Sequence, residues 1–594
     1  MHTSPHPFDF RLLPPLPFVQ PLERAARTVL GLEGLRRCYE SVPRELGPAE
    51  FSASILQRLG IRVEIEGLDD ARFARAGATI VVANHPYGGV EGLALIARLV
   101  RLRPDLRVLA NDVLTRIPEL APVLIPINPF GGEQAMRSNR SGVRAALEWL
   151  QRGGALLAFP AGEVGHYHVG RGVVDPEWST SVARLARHAG ASVLPLWIEG
   201  GNGPLFHLSG LIHPTLRTAL LPRQLLGQRG QTLRIRAGSA VSAEQLEQFG
   251  DHTRATRYLR ERVELLGRCG AAPTSRALRR ALVPVISAVD PGLIERELAV
   301  LPEGHLLFRH GRYDVYCTRA RYIPATLREI GRLRETTFRE VGEGTGAALD
   351  LDRFDEHYRH LFVWHRDDRA IAGAYRLGDV DAILAAYGRS GLYTTTLFHL
   401  DAPLLRRLQG ALELGRSFVP LRYQRHVHPL HLLWRGIGCV VVQGEFRLLF
   451  GPASISNQYR PESQRLLATF LRRHAADHVS PLVRGRNPVR ERAGEWEELA
   501  ESMEGVAGIL RELEGEERGI PVLLRHYLRL GGRVLGFNRD HAFGDAIDCL
   551  LLVDLAHTDS AILSSYIGER SASFFLARQA TLSRTAISSA AVAS

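Results

Sequence analysis

Residues 78–92 read ATIVVANHPYGGVEG, and this stretch decides the fold of the first half of the chain. An apolar, β-rich run ends at His85, and a pair of glycines and Glu91 follow it. From about residue 61 to 240, similar β-rich runs alternate with helical stretches, such as GALLAFP (154–160), SVARLARHAG (181–190) and SVLPLWIEG (192–200). Because alternating strands and helices are typical of mixed layers, the pattern predicts an α/β domain.

His85 and Glu91 are the residue types that a base and its orienting acid require. An imidazole has an ordinary pKa of about 6.5, so it can take a proton from a hydroxyl near neutral pH. A neighbouring carboxylate fixes its tautomer and stabilises the imidazolium. A His-Pro pair before a glycine turn is also common as a purely structural element. The two residues alone therefore leave both interpretations open.

Two further motifs follow: FPAGE (159–163) at the end of a strand and VLPL (193–196) on another strand. In this order, the three motifs resemble the glycerolipid O-acyltransferase family over residues 61–240. The resemblance implies that His85 deprotonates an acceptor hydroxyl, that the hydroxyl attacks an acyl thioester, and that Glu91 is the acidic partner. It also implies that substrate is bound by residues of the three motifs, namely Asn84, Pro86, Gly88, Pro160, Gly162, Glu163 and Pro195.

The chain departs from the family pattern in two ways. In the family, four residues separate the histidine from the acid. This spacing would place the acid at position 90, where this chain has Val90, and Glu91 follows one position later. Family arginines that read a phosphate are replaced by Pro129 after IPIN (125–128) and by Val164 after Glu163. Since arginine is the usual bidentate phosphate donor, we expect an acceptor that need not carry a phosphomonoester.

The second half of the chain has a different pattern. Strand-like runs occur at 305–320 and 362–378, and Asp367-Asp368 between two such runs is a hairpin signal. Four charged motifs accompany them: Arg334-x3-Phe338, Asp352-x2-Asp355, Gly373-x2-Arg376 and Glu413-x2-Arg416. The strands predict an α+β domain with antiparallel pairing. Taken one at a time, the charged residues also fit structural ion pairs.

In this order, the four motifs resemble the acyl-homoserine-lactone synthases and related N-acyltransferases of the GNAT superfamily. The resemblance spans about residues 305–460 and implies a mixed sheet flanked by helices. It implies transfer of an acyl group from acyl carrier protein to the amine of an amino-acid-like acceptor. By the same resemblance, the catalytic acids are Asp352, Asp355 and Glu413, and the substrate-binding residues are Arg334, Phe338, Arg376 and Arg416. A glycine turn that meets the donor is expected at WRGIG (434–438).

The expected organisation has four parts. Residues 1–60 form an amphipathic or helical N-terminal segment, which either lies on a membrane or docks on its own domain. Residues 61–267 form the O-acyltransferase domain, 268–300 a linker, and 301–594 the GNAT-like domain.

The pairing of these domains resembles the bifunctional ornithine lipid synthases. The resemblance implies N-acylation of ornithine, or a similar amino acid, with a 3-hydroxyacyl group from acyl carrier protein, followed by O-acylation of the lyso-lipid. The expected donor is acyl carrier protein thioester, with no bound cofactor and no metal site. Two alternatives remain: a lysophospholipid acyltransferase with an accessory carrier-binding domain, and a non-catalytic membrane-binding protein.

Net charge and hydropathy limit which molecules the protein is expected to bind and where it is expected to lie in the cell. The 594 residues include 74 basic and 63 acidic side chains, so the formal net charge is +11. This balance favours an acidic carrier protein or an anionic membrane surface. Nucleic acid is not expected, because no binding motif accompanies the charge. With no signal peptide and no apolar run of about 18 residues, we expect a cytoplasmic enzyme bound peripherally to the inner face of the cell membrane.

Overall fold

The computed structural model describes residues 7, 20–128, 133–168, 172–203, 206, 219–268, 282–424, 428–478, 480–489, 496–515, 518–569, 571–573 and 575–578. The chain divides into two compact units, residues 1–271 and 272–594. Residues 269–281 of the predicted linker lie outside the described residues. In the later part of that linker, residues Pro291–Ala299 form a helix.

The first unit alternates helices and strands as its sequence predicts. Its described helices are α1 Gln20–Val29, α2 Leu32–Glu40, α3 Pro48–Arg58, α4 Asp70–Arg75, α5 Val90–Leu102, α6 Glu133–Gln151, α7 Ser181–Ala189, α8 Leu221–Gly227, α9 Ala243–Glu247 and α10 His252–Arg268, with short 3-10 turns at Asp112–Arg116 and Ala121–Val123. Its described strands are β1 Arg62–Glu66, β2 Thr79–Ala83, β3 Leu106–Asn111, β4 Leu124–Ile127, β5 Ala155–Ala158, β6 His166–His168, β7 Gly172–Val174, β8 Ser192–Ile198 and β9 Thr232–Ala237.

A mostly parallel sheet forms the centre of this unit. Within the described residues its strand order is β1-β9-β8-β2-β5-β3-β4, and only β8 and β9 pair in antiparallel fashion. Every residue of β2 is buried, which fits a strand covered on both faces by helices. The arrangement confirms the predicted α/β class. It also places His85 just beyond the carboxyl end of an inner strand, where α/β sheets commonly bind ligands.

The N-terminal segment contributes to this same unit. Helices α2 and α3 are separate, and each buries apolar side chains in the core beneath the sheet. Cys38 of α2 and Phe51 and Ile55 of α3 belong to the same buried cluster as Val81 of β2. For α2 and α3, the structure therefore supports docking on their own unit, one of the two alternatives that the sequence leaves open.

Substitution of Phe51 tests this contribution of α3. Phe51 is 3% exposed, so Phe51→Ala is expected to lower the free energy of unfolding by about 3 to 5 kcal/mol through lost burial and the cavity left behind. Urea denaturation followed by circular dichroism measures the change. Gln57→Ala, at an exposed position of the same helix, serves as the control. Equal stability of the two variants would contradict the packing of α3 into the core.

The second unit mixes helices with a largely antiparallel sheet. Its described helices are α11 Pro291–Ala299, α12 Pro324–Glu340, α13 Val380–Tyr387, α14 Ala402–Arg407, α15 Leu421–Gln424, α16 His428–Gly444, α17 Pro461–Ala475, α18 Met503–Glu514, α19 Val522–Arg529 and α20 Ser560–Ile567, with 3-10 turns at Ala320–Tyr322, Arg353–Glu356, Arg389–Gly391, Tyr393–Thr396, Ser480–Leu482 and Leu555–His557. Its described strands are β10 Leu306–His310, β11 Tyr313–Arg319, β12 Arg359–His365, β13 Ala370–Asp379, β14 Phe398–Leu400, β15 Ala411–Phe418, β16 Leu448–Ile455, β17 Val483–Gly485, β18 Arg533–Asp540 and β19 Ala546–Asp554.

The main sheet of this unit contains one parallel pair. Its described order is β10-β11-β12-β13-β15-β16-β19-β18, and β15 and β16 are the parallel neighbours. Their pairing ends at Glu413 and Phe450, although both strands continue. Gly451 follows with φ of +156°, and a Cβ there would lie 2.0 Å from the Leu414 carbonyl oxygen. A glycine is therefore required where the two strands separate.

The expected glycine turn at 434–438 is wrong, because these residues lie inside helix α16. Gly436 instead allows close packing, since a Cβ there would lie 2.7 Å from Cδ1 of Leu361 on β12. The β-branched run Val440–Val442 is also part of α16. The hairpin signal is confirmed, because Asp367 and Asp368 lie in the turn between β12 and β13. Among the described residues, no helix has both the length and the apolar character needed to cross a bilayer.

Candidate active sites

The structure brings His85 and Glu91 together at the end of β2. Nδ1 of His85 lies 3.1 Å from Oε1 of Glu91. Glu91 lies in the first turn of α5, and its carboxylate accepts the backbone N–H groups of Tyr87, Gly88 and Gly89, each at 2.9 Å. Backbone N–H groups at a helix N-terminus have no partner within the helix, so they stabilise a carboxylate that lies there. Glu91 thus lies beside the imidazole, and its carboxylate is bonded to the backbone of the loop that carries His85.

The electrostatics of this pair depend on burial and mutual attraction. Burial opposes protonation of His85, but the Glu91 carboxylate outweighs burial and raises the pKa of His85 above its ordinary value. Burial also favours the neutral form of Glu91, but the imidazole and the backbone N–H groups lower its pKa to about 2. Glu91 is therefore ionised across the physiological range. The His85 side chain keeps 18% of its surface exposed, so the imidazole is open to a substrate.

The FPAGE loop packs against the His85 loop. The ring of Phe159 lies 4.5 Å from the imidazole ring, measured between centroids. The backbone N–H of Gly165 donates to the His85 carbonyl oxygen at 3.0 Å. On the other side, the backbone N–H of His85 donates to Oδ1 of Asp175 at 3.1 Å, and Trp178 donates to Oδ2 of the same carboxylate at 3.0 Å. Two of the three sequence motifs therefore meet at one place.

The remaining motif residues of the first unit lie in or near the sheet. Asn84 joins β2 to β8, because its side chain donates to the Ile198 carbonyl at 2.9 Å and accepts the Ile198 N–H at 2.7 Å. Pro195 is buried within β8, beside Val82 of β2. These contacts show that Asn84 and Pro195 hold the strands in register. Pro86 is buried next to His85 in the chain, and Gly88 donates its N–H to Glu91.

Within the FPAGE loop, the three predicted binding residues differ in exposure. Pro160 is buried, and its carbonyl oxygen accepts the Ser179 N–H at 2.9 Å. Gly162 lies in the turn that follows, with its N–H bonded to the Phe159 carbonyl. Glu163 is part-exposed, and its Oε2 lies 3.7 Å from Nε2 of His166. Of the three, Glu163 is the side chain most available to a substrate.

In the second unit, a pocket lies where β15 and β16 separate. One wall is formed by Leu414–Ser417 of β15 and another by Pro452–Ser454 of β16. Aromatic rings and two acids complete the lining: Phe338, Tyr375, Tyr393, Tyr527, Phe543, Asp540 and Asp548. Strand edges that no longer pair leave backbone groups free to bind an extended ligand.

Two of the predicted arginines lie buried beside the predicted aspartates. Nη1 of Arg334 lies 2.7 Å from Oδ1 of Asp355, and Nη1 of Arg376 lies 2.6 Å from Oδ1 of Asp352 and 3.4 Å from Asp355. Burial favours the neutral form of Asp355, but the two guanidinium groups outweigh it and lower the pKa of Asp355 well below its ordinary value. Asp352 and Asp355 also form a capping box at the turn Arg353–Glu356. Both acids are therefore bonded to buried arginines and to the backbone of this turn.

Arg416 is the predicted arginine that lines the pocket. Its backbone has φ of +49°, a left-handed conformation that is uncommon for a residue with a side chain. The guanidinium lies over the rings of Tyr393 and Phe543, at 5.0 and 4.9 Å from their centroids. Asp350 and Asp352 lie 3.4 and 3.7 Å from it. Phe338, another predicted binding residue, lies in the same lining.

Glu413 is buried, and both of its carboxylate oxygens are hydrogen bonded. The Thr394 N–H donates to Oε1 at 2.7 Å, the Thr394 hydroxyl donates to the same oxygen, and the Tyr358 hydroxyl donates to Oε2. Burial raises the pKa of Glu413, although these donors oppose the rise. With its acceptors occupied, Glu413 holds the turn at 393–396 against β15.

The acids that face the pocket are ones that the sequence analysis did not select. Asp548 lies on β19 and Asp540 at the end of β18, and both line the pocket. Glu343 follows α12 and influences the pKa of Asp548. The sequence does carry one signal, because Asp548 interrupts the apolar run AIDCLLLV (546–553). Among the described residues, no group of three or more His, Cys, Asp or Glu side chains is placed to hold a metal ion.

Comparison with known proteins gives two family matches in one chain. Residues 27–271 match the family described as Acyltransferase, and residues 333–435 match the Acetyltransferase (GNAT) domain. A glycine N(alpha)-acyltransferase from Bacteroides thetaiotaomicron is 32% identical over 258 residues, which cover 40% of this chain and 77% of that protein. A glycine N(alpha)-acyltransferase from Phocaeicola vulgatus is 27% identical over 292 residues, covering 45% of this chain and 88% of that protein.

A third relative matches a shorter part of the chain. The lyso-glycine lipid O-acyltransferase of Phocaeicola vulgatus is 30% identical over 159 residues, which cover 27% of this chain and 54% of that protein. The chain belongs to the acyltransferase family that includes the Bacteroides thetaiotaomicron relative. It is an acyltransferase with a GNAT-like second domain, as the sequence analysis predicts. Both matched families use acyl thioester donors.

The His85–Glu91 pair leads to a prediction about the pKa of His85. In the wild-type protein, an NMR pH titration is expected to place this pKa above 6.5, because the Glu91 carboxylate favours the imidazolium. Glu91→Gln removes that charge while burial remains, so the pKa is expected to fall below 6.5. Comparison with the spectrum of His85→Gln identifies the signal.

Glu148→Gln serves as the control, because Glu148 pairs with Arg144 on the exposed face of α6. This variant is expected to leave the titration of His85 unchanged. The same His85 pKa in wild type and Glu91→Gln would contradict the pairing.

Proposed function

We propose that this protein is a bifunctional aminolipid acyltransferase. Its second unit acylates the amine of an amino acid, and its first unit then esterifies the hydroxyl of the resulting lyso-lipid. The observation that carries the proposal is the presence of both family matches in one chain. Relatives named as a glycine N-acyltransferase and a lyso-glycine lipid O-acyltransferase add support, because the two names describe consecutive steps.

The first step takes place at the separation of β15 and β16. The acyl thioester extends along the unpaired strand edges, where its amide groups can pair with the backbone. The neutral amine attacks the thioester carbonyl, so a C–N bond forms and the C–S bond breaks. The thiolate leaves, and the proton released from the nitrogen neutralises it. Arg416 lies in the pocket to hold the carboxylate of the amino acid.

The second step uses His85. The imidazole takes the proton of the acceptor hydroxyl, and the oxygen attacks the carbonyl of a second acyl thioester. A C–O bond forms, the C–S bond breaks, and His85 returns the proton to the departing thiolate. Glu91 stabilises the imidazolium between these events, and its contact at 3.1 Å supports this role. If the first acyl chain carries a 3-hydroxyl group, that hydroxyl is the acceptor.

The proposed acceptor is ornithine or a similar amino acid, and glycine is its rival because two relatives carry that name. The absence of the phosphate-reading arginines after residues 128 and 163 supports a lyso-aminolipid over a lysophosphatidate. The proposed donor is acyl carrier protein, whose acidic surface would complement the net charge of +11. The same charge supports binding at the inner face of the cell membrane.

Expression in a bacterium that lacks aminolipids tests this function. Mass spectrometry of total lipids is expected to show a doubly acylated aminolipid with the wild type. His85→Ala is expected to accumulate the singly acylated form, because the hydroxyl is no longer activated. Arg416→Ala is expected to yield neither form, because the first step is lost.

His188→Ala is the matched control for His85→Ala. His188 is an exposed histidine of α7 in the same unit, so both products are expected to remain. Thermal melting confirms that each variant is folded. If folded wild type yields only new phospholipid species, and Arg416→Ala yields them too, the protein is a lysophospholipid acyltransferase and the proposal fails.

A further inference from the structure

Three acids lie in or beside the pocket of the second unit: Asp540 and Asp548 line it, and Glu343 accepts a hydrogen bond from Ser454 of the lining. Glu343 and Asp548 are each 5% exposed, and Asp540 is half-buried at the mouth of the turn after β18. Oδ2 of Asp548 has no hydrogen-bond partner within the described part of the chain, although Asn538 donates to the same side chain. Oε2 of Glu343 accepts one hydrogen bond, from the Ser454 hydroxyl at 2.8 Å.

Glu343, Asp540 and Asp548 form a carboxylate cluster, and the charge of the nearby Arg416 offsets only part of the effect of burial on Glu343 and Asp548. Among the described residues, none of the three forms an ion pair with an arginine within 4.0 Å. The ion-pair partners of Arg416 are Asp350 and Asp352, at 3.4 and 3.7 Å. Because buried like charges are unfavourable, these acids favour their neutral forms until a cation compensates them.

The protonation of the cluster agrees with this geometry. Burial and the nearby Asp540 raise the pKa of Asp548 to about 8. Burial raises the pKa of Glu343 to about 7, and Asp540 adds to the rise. A cation that enters the pocket would hold both acids in their charged forms.

We propose that Glu343, Asp540 and Asp548 bind a side-chain ammonium group of the amino acid acceptor, so that this site selects a diamino acid. The inference rests on the proposed N-acylation. The α-amine must lose its proton to attack the thioester, so it cannot keep a full ion pair with the cluster. A second ammonium group stays charged throughout the reaction, so it can keep an ion pair with the cluster. Glycine has no such group.

Steady-state N-acylation by the full chain tests the assignment, with ornithine or glycine as acceptor and acyl carrier protein thioester as donor. The wild type is expected to favour ornithine in kcat/KM by at least about tenfold, as the loss of a charged hydrogen bond predicts. Asp548→Asn is expected to raise KM for ornithine about tenfold. The kcat/KM for glycine and the KM for the donor are expected to stay within about twofold.

Asp554→Asn is the matched control. Asp554 lies on the same strand as Asp548 but pairs with Arg447, outside the pocket lining. This variant is expected to keep the ornithine KM within about twofold of wild type. If thermal melting shows that Asp548→Asn does not fold, Asp540→Asn provides the same test at a half-buried position.

The outcomes separate the two proposals. If the wild type acylates amino acids but favours glycine, or if Asp548→Asn leaves the ornithine KM unchanged, the assignment of the cluster is overturned and the proposed function stands. An equal loss with ornithine and glycine also overturns it, because the cluster would then act on the α-amine. If the folded wild type acylates no amino acid, both proposals fail.

Discussion

Compensation of buried charge is the constraint on which both candidate sites depend. An ionised group removed from water is stable only with a partner of opposite charge or with several hydrogen bonds. In the first unit, Glu91 meets this requirement with His85 and three backbone N–H groups. In the second, Asp355 meets it with Arg334 and Arg376. The loop at His85 and the turn at Asp355 are each held in place by the partners of a buried carboxylate.

The same constraint separates scaffold from site in the second unit. Asp352, Asp355 and Glu413 have their oxygens committed to arginines, hydroxyls and backbone N–H groups, so they define the shape of the pocket. Asp548 retains an unpartnered oxygen in the lining, within the described residues. A buried acid with a raised pKa and an oxygen without a hydrogen-bond partner is suited to binding a ligand.

The sequence predicts the α/β unit and the antiparallel second unit, because strand periodicity and motif order are local properties. The resemblance implies that Glu91 is the partner of His85, but the spacing, one residue longer than in the family, does not show how the carboxylate reaches the imidazole. That contact depends on the first turn of α5 bringing the side chain back over the loop. Nor does the sequence identify Gly436 as a packing residue, because a glycine pair in a helix and one in a turn look alike in sequence. Asp548 and Glu343 are brought together by tertiary structure, because Ser454 of β16 pairs with Asp548 of β19 and donates a hydrogen bond to Glu343 in the loop after α12.

In the proposed function the amide forms before the ester, and a time course with the purified protein measures this order. The reaction contains isotopically labelled ornithine, a 3-hydroxyacyl carrier protein and a plain acyl carrier protein with a chain of different mass. The account predicts that the amide with the 3-hydroxyacyl chain appears first and that the ester of the second chain follows after a lag, with fragmentation placing the second chain on the 3-hydroxyl. Ester formation without a prior amide, or a second chain on nitrogen, would contradict it.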